Sequence, residues 1–226
     1  MYGMEINKKK TKVMGIIQEG EGLRIQIQGE AIEQVQQFTY LGVKIDNNGK
    51  QEPDIEDRID KAGKLYHALN WKFLKKKEIS TKTKMTVYKI IFRPVLTYGY
   101  ESWSTTGKIK SNIQTMEMKF LRGIKGITRM DRVRNENVRN ELEVNSIESY
   151  VGERHMGWWG HLQRMEDDRQ VKKVWEARIE EKPKRGRPQQ TWDGANKREI
   201  QRRGKKLKEA KELATNRAEW KKFIRS

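Results

Sequence analysis

Apolar and polar residues alternate with a period of two in the N-terminal region, a pattern typical of β-strands. The alternation is clearest in residues 23–27. An apolar run at 13–17 is joined to it by a glycine-containing turn at 19–22, so a hairpin is expected. A further strand is predicted over residues 38–45, with Leu41 on its apolar face.

From Pro53 onward the apolar residues recur with the period of an α-helix. The first helix carries one stripe of apolar side chains, at Ile55, Ile59, Ala62, Tyr66, Leu69 and Phe73. A second helix is predicted to begin at Ser80 as N-cap and to stop before Pro94, and a third carries a stripe from Ile109 to Ile124. Because a small antiparallel sheet precedes amphipathic helices, the expected fold is α+β and mostly α.

The C-terminal region is more polar. Helices are predicted near residues 133–142 and 146–166, whereas residues 180–190 contain two prolines and a glycine and are expected to form a basic linker. The charged segment from Trp192 to Arg225 is predicted to be helical. It has so few apolar residues that it should need a partner surface to be stable.

Composition adds a functional expectation. The 226 residues include 49 Lys and Arg against 31 Asp and Glu, a net charge of +18, which favours nucleic acid as a partner. The absence of cysteine excludes disulfides, thiol nucleophiles and cysteine-ligated zinc. No apolar run approaches the roughly 18 residues that cross a bilayer, and no secretory leader pattern is present, so an intracellular protein without a membrane partner is expected.

Several segments resemble, in order, the reverse transcriptases of LINE-type (non-LTR) retrotransposons. Residues 6–14 resemble the lysine-bearing palm motif of that family, and residues 38–43 resemble its primer grip. The similarity continues into the helical thumb and the C-terminal region, through the segments 58–62, 88–89, 94–103, 132–136, 158–165, 185–188 and 191–192. The resemblance implies a partial palm edge (1–50), a thumb-like region (51–127), a helical C-terminal region (128–179) and a basic linker with a charged tail (180–226).

Enzymes of that family use an aspartate pair to hold two divalent metals, normally Mg²⁺. The resemblance places this pair before Met1, so the chain is expected to lack cofactors and polymerase activity, with an N-terminal polymerase portion as a possible partner. Asp167 and Asp168 lack flanking strand patterns and are more typical of a helix boundary. The acidic residues at 54–60 are typical of the first turns of a helix.

The resemblance also implies contacts with a template–primer. Lys10 matches the lysine thought to stabilise the leaving pyrophosphate, although a lysine beside Lys12 and two others can simply be solvated. Gly42 would allow a primer backbone to approach, or would only relieve crowding in a sheet. The expected nucleic-acid contacts are Lys10, Lys12, Tyr40, Leu41, Gly42, Lys75, Lys76 and Lys77.

Residues 184–188 resemble the core of an AT-hook. An extended Arg185-Gly186-Arg187 would lie along the narrow minor groove of A·T-rich DNA, with both guanidinium groups in its negative potential. A basic linker or a nuclear-import sequence has the same composition. A nuclear location is expected.

The spacing of four aromatic residues in the helix near 146–166 predicts their environments. His155 and His161 are six apart, unlike metal ligands on one helix face, and are predicted to be structural. Trp158 fits the apolar stripe and is predicted in the core, whereas Trp159 would point elsewhere, to stack on a base or to pack partly buried.

Two functions compete on these observations. The first is a truncated part of a retrotransposon RNA-directed DNA polymerase that keeps template–primer-binding elements but lacks catalytic aspartates. The alternative is a non-enzymatic, basic DNA-binding or architectural protein that uses the AT-hook-like segment.

Overall fold

The computed structural model describes residues 6–15, 24–104, 106–177 and 191–225. Short strands come first: β1 (Gln26–Ile27), β2 (Glu30–Ala31), β3 (Gln37–Tyr40) and β4 (Val43–Asp46). The helices that follow are α1 (Glu52–Leu69), α2 (Thr81–Val87), α3 (Arg93–Thr97), α4 (Gly107–Lys125), α5 (Asn135–Glu141), α6 (Ile147–Arg164), α7 (Gln170–Glu176), α8 (Trp192–Arg202), α9 (Leu207–Thr215) and α10 (Arg217–Arg225). The predicted α+β, mostly α class is confirmed. None of the helices in these ranges is both long and apolar enough to span a membrane.

The chain forms two compact units, Met1–Asp60 and Lys61–Ser226. The first unit contains two antiparallel hairpins, β1 with β2 and β3 with β4. The turn predicted at 19–22 lies outside the described residues. In the described part, β1 pairs with Glu30–Ala31, and Val13 forms an isolated parallel bridge with Gln34.

The single strand predicted over residues 38–45 is wrong, because the chain reverses at Leu41 and Gly42. Both residues have left-handed backbone angles, with φ of 48° and 82°. Two consecutive left-handed residues form the two-residue hairpin turn whose twist matches that of the flanking strands. Tyr40 therefore lies opposite Val43.

The predicted helices of the second unit are confirmed in large part. Ser80 caps α2, since its side chain accepts a hydrogen bond from the Thr83 amide at 3.1 Å. The predicted stop before Pro94 is wrong, because the helical path continues into α3. A π-helical segment, Tyr88–Phe92, runs directly into it, and Pro94 is the second residue of α3.

Helix α4 contributes a long buried face to the core of the second unit. Its predicted stripe is buried, and Phe120 packs against Phe92 with ring centroids 4.1 Å apart. Glu117 is fully buried on the same helix, where it accepts hydrogen bonds from the Tyr88 hydroxyl and from Arg139, both at 2.8 Å. Burial raises the pKa of Glu117, although both partners oppose that shift.

The C-terminal helices pack on α6, so the surface that the charged tail needs lies within the chain. Met156 and Trp159 of α6 contact a cluster from α8, α9 and α10 made of Ile200, Ala210, Ala214, Trp220 and Ile224. Buried apolar area therefore stabilises helices whose sequences alone would be marginal.

Candidate nucleic-acid interface

The surface that follows α1 combines an exposed aromatic ring with several cations. Residues Asn70–Leu74 form a π-helical turn, closed by a 3.0 Å hydrogen bond from the Lys75 amide to the Asn70 carbonyl. Leu74 is buried, whereas Trp71 is 70% exposed. Isolated π-turns often occur at functional sites.

The positive charge beside Trp71 is dense. Lys72, Lys75, Lys76 and Lys77 lie within six consecutive positions, and all four are exposed. Lys75 places its Nζ 3.6 Å from the centroid of the Trp71 ring, a cation–π contact. Within the described ranges these four lysines make no ion pair, so their charges remain available to an anion. This basic aromatic surface, Trp71–Lys77, is called the lysine–tryptophan patch below.

A side chain of α2 fixes the backbone of the patch by a hydrogen bond. Lys84 is buried, and its Nζ donates a 2.8 Å hydrogen bond to the carbonyl of Lys76. The Ser80 cap fixes the start of the same helix. The lysines predicted at positions 75–77 therefore project from a turn with fixed ends.

Four basic residues of α4 have intramolecular partners instead. Lys110 pairs with Glu148 at 2.6 Å, and Lys125 pairs with Glu141. Arg122 donates hydrogen bonds to the Val133 carbonyl and to Asn135 at 3.0 and 2.7 Å. Lys119 lies 4.8 Å from the centroid of the Tyr66 ring. These side chains fasten α4 to the surrounding segments.

The two lysines predicted in the first unit differ in environment. Lys10 is exposed, and its amide donates to the Asn7 side chain in a turn. Lys12 forms an ion pair with Glu33. Lys10 is therefore the more accessible of the two, but its proposed contact with pyrophosphate stays a prediction.

The primer-grip-like residues form the tip of a hairpin. Tyr40 and Leu41 are 60% and 75% exposed, and the Gly42 carbonyl accepts a hydrogen bond from Arg58. The acidic residues at 54–60 do lie in the first turns of α1, as predicted, but Asp54 is buried. Its carboxylate accepts a 2.9 Å hydrogen bond from the Lys44 amide, which ties β4 to α1.

The rings of α6 correct one prediction and confirm another. Trp159 is buried and Trp158 is 38% exposed, the reverse of their predicted positions. The reason is Trp220 of the C-terminal tail, which packs on Trp159 with ring centroids 5.2 Å apart and ring planes tilted by 37°. His155 is structural, as predicted, and its Nε2 lies 2.6 Å from the Tyr100 carbonyl.

One further prediction falls outside the described ranges, whereas another can be compared with the structure. Arg185, Gly186 and Arg187 lie outside the described residues, so the AT-hook-like segment stays a prediction. Asp167 lies at the boundary between α6 and α7, as predicted, and pairs with Lys172 at 2.9 Å. No group of three His, Cys, Asp or Glu side chains that could hold a metal occurs among the described residues.

Sequence comparison connects the chain to mobile elements. It is 26% identical over 235 residues to an uncharacterized transposon-derived protein of Caenorhabditis elegans, a match that covers 99% of this chain and 83% of that protein. This chain is related to transposon-derived proteins. A second relative, from Drosophila melanogaster, is named "Probable RNA-directed DNA polymerase from transposon BS" and is 22% identical over 141 residues. That match covers 62% of this chain but 15% of the Drosophila protein.

No protein-family model matches the chain, and no solved structure does. The transposon relationship therefore rests on the two sequence relatives. It agrees with the resemblance to retrotransposon polymerases at the level of transposon origin.

Trp71 was missed by the sequence analysis. It lies off the apolar stripe of α1, next to a run of lysines, and that combination was the available indication. Its exposure depends on the π-helical turn, which the helical period does not reveal.

Proposed function

We propose that this chain is a nucleic-acid-binding part of a LINE-type retrotransposon polymerase, and that it holds the phosphate backbone of a template–primer through the lysine–tryptophan patch. The relationship to transposon-derived proteins supports the origin. The observation that carries the proposal is the run of four exposed lysines at 72–77, without ion-pair partners in the described part of the chain.

The physical basis is counterion release. A protein lysine that neutralises a phosphate frees a condensed cation, which makes affinity fall steeply with salt. Four like charges in six positions repel each other, and a phosphate backbone relieves that repulsion. Since Lys84 and Ser80 fix the adjoining α2, little backbone conformational entropy should be lost on binding.

The proposed activity is binding without synthesis. Polymerisation in this class needs two metal ions held by carboxylates. The segments that resemble the family do not include the aspartate pair that holds these metals. We therefore expect the isolated chain to bind a primed template but to incorporate no nucleotide with Mg²⁺ or Mn²⁺. Template-dependent incorporation by the purified chain would contradict this part of the proposal.

The test of the interface compares two triple variants with the same change in charge. The patch variant carries Lys75→Gln, Lys76→Gln and Lys77→Gln. The control carries Lys208→Gln and Lys211→Gln on α9 and Lys221→Gln on α10, all at exposed positions. Affinity for a fluorescent RNA–DNA hybrid is measured by anisotropy at several salt concentrations.

In the patch variant the magnitude of the slope of log K against log salt should decrease by up to about 3, since each lost phosphate contact removes about 0.9 from that magnitude. The control should change the slope by less than about 1. Equal reductions in the two variants would show that only overall charge matters, and an unchanged slope in the patch variant would remove the patch from the interface.

A further inference from the structure

Trp71 has an environment unlike that of the other tryptophans in the described residues. Trp103, Trp159 and Trp220 are each 2% exposed or less, and Trp158 is 38% exposed. Trp71 leaves 70% of its surface in water. Covering a large, water-exposed apolar ring with another flat apolar surface lowers the free energy.

The geometry favours a planar ligand. Lys75 lies over the Trp71 ring at 3.6 Å from its centroid, and most of the indole remains accessible beside it. The ring is attached to a turn whose next apolar side chain, Leu74, is buried. The side chain is therefore presented from an anchored backbone rather than from a loose loop.

The charges around the ring identify the chemistry of that ligand. Residues 70–84 contain six lysines and one glutamate, Glu78. A protein partner with an apolar face would meet this cationic surface at a cost unless it were acidic. A nucleic-acid strand offers a flat base and a phosphate on every residue, and each base has a π-face that can stack on an aromatic ring.

We propose that Trp71 stacks on an unpaired base, so that the lysine–tryptophan patch binds single-stranded nucleic acid or the overhang of a template–primer in preference to uninterrupted duplex. This rests on the proposed nucleic-acid function and adds its specificity. Bases inside a duplex are already stacked on their neighbours. Trp71 can therefore cover one only where a strand is unpaired.

The central experiment measures binding of the full chain to three ligands of equal length: a single-stranded oligonucleotide, a blunt duplex and a single strand of abasic residues. Trp71→Ala should lose about thirtyfold in affinity for the single strand, the middle of the range for one stacked base. Its affinity for the blunt duplex should change by less than about twofold. The unmodified chain should bind the abasic strand as weakly as Trp71→Ala binds the normal strand.

Two variants control the interpretation. Trp71→Phe keeps an aromatic face and should retain most of the single-strand affinity. Trp158→Ala removes another partly exposed tryptophan, outside the patch, and should leave the ratio of single-strand to duplex affinity unchanged. A duplex with a single-stranded overhang separates the two ligand sources: affinity equal to that of the free single strand supports recognition of a template–primer end.

The outcomes separate this inference from the function it rests on. If Trp71→Ala binds the single strand as well as the unmodified chain, stacking is refuted while backbone binding by the lysines stands. A loss that is equal on single strand, duplex and abasic strand also overturns stacking, since it indicates a structural role. If the unmodified chain binds none of these ligands but binds an acidic polypeptide, both proposals fail.

Discussion

Gly160 of α6 lies directly against the Trp220 ring of α10, and it offers a severe test of the C-terminal packing. A Cβ at Gly160 would lie 2.8 Å from Cε2 of Trp220, and closer still to Nε1 and Cδ1 of that ring. Trp220 is 2% exposed and its Nε1 donates a 2.8 Å hydrogen bond to the Met156 carbonyl. The rigid indole cannot bend away, so Gly160→Ala must displace Trp220 as a whole.

The magnitude follows from three contributions. Alanine should gain about 1 kcal/mol over glycine in a helix interior. Overpacking a filled core costs about 1–3 kcal/mol, and a buried donor left without its acceptor costs about 1–3 kcal/mol more. We therefore expect Gly160→Ala to reduce the free energy of unfolding by about 3 kcal/mol.

Gly157 provides the matched control, because it lies on the same helix and a Cβ there would meet no atom within 4 Å. Gly157→Ala should therefore leave stability unchanged or raise it by up to about 1 kcal/mol. Urea unfolding, followed by far-UV circular dichroism and tryptophan fluorescence, measures both variants. If Gly160→Ala is as stable as the unmodified chain, or if the two alanines act alike, the packing of Trp220 on α6 is refuted.

Two further predictions concern single residues. Burial lowers the pKa of His155, so below about pH 6.5 the unfolded chain binds a proton that the folded chain does not, and the free energy of unfolding decreases as the pH is lowered. Thermal melts between about pH 7.5 and pH 5 should show a smaller loss of stability for His155→Gln than for the unmodified chain, and equal losses would contradict the assignment. Leu41 has a left-handed backbone conformation, which asparagine adopts at a lower cost, so Leu41→Asn should raise the free energy of unfolding of the first unit by roughly 0.5–1 kcal/mol. A lower melting temperature of the variant in a calorimetric scan would contradict the two-residue turn.

The helices were predictable because local sequence determines their ends and faces. Ser80 begins α2 as an N-cap, and Gly126 ends α4 in a left-handed conformation. The stripe from Ile109 to Ile124 faces the core, as its spacing requires. Each of these features depends on residues no more than a few turns apart, which a sequence displays directly.

The hairpin of β3 and β4 was missed because its turn lacks the usual residues. Two-residue turns of this kind favour Asn-Gly or Asp-Gly, whereas this chain has Leu41-Gly42. Leu41 also continues the apolar alternation, so the pattern alone favours one uninterrupted strand.

The burial of Trp159 instead of Trp158 has a cause that lies further along the chain. Neighbouring helix positions differ by about 100° around the axis, so a small rotation decides which tryptophan is buried. That rotation is fixed by Trp220, which lies about sixty positions further along the chain. No analysis of α6 alone contains this contact.

The same distinction between local and distant contacts applies to the candidate interface. The net charge of +18 does not locate a binding surface, because part of it is neutralised by ion pairs between segments far apart in sequence, such as Lys110 with Glu148. Glu117 likewise neutralises Arg139 within the core. At residues 72–77 four lysines crowd one exposed turn without such partners among the described residues, so their repulsion is relieved only by ions from solution or by a bound polyanion. The proposed interface therefore rests on local charge that the fold leaves uncompensated, and the exposed ring of Trp71 at the same place is the basis for proposing a ligand with flat, unpaired bases.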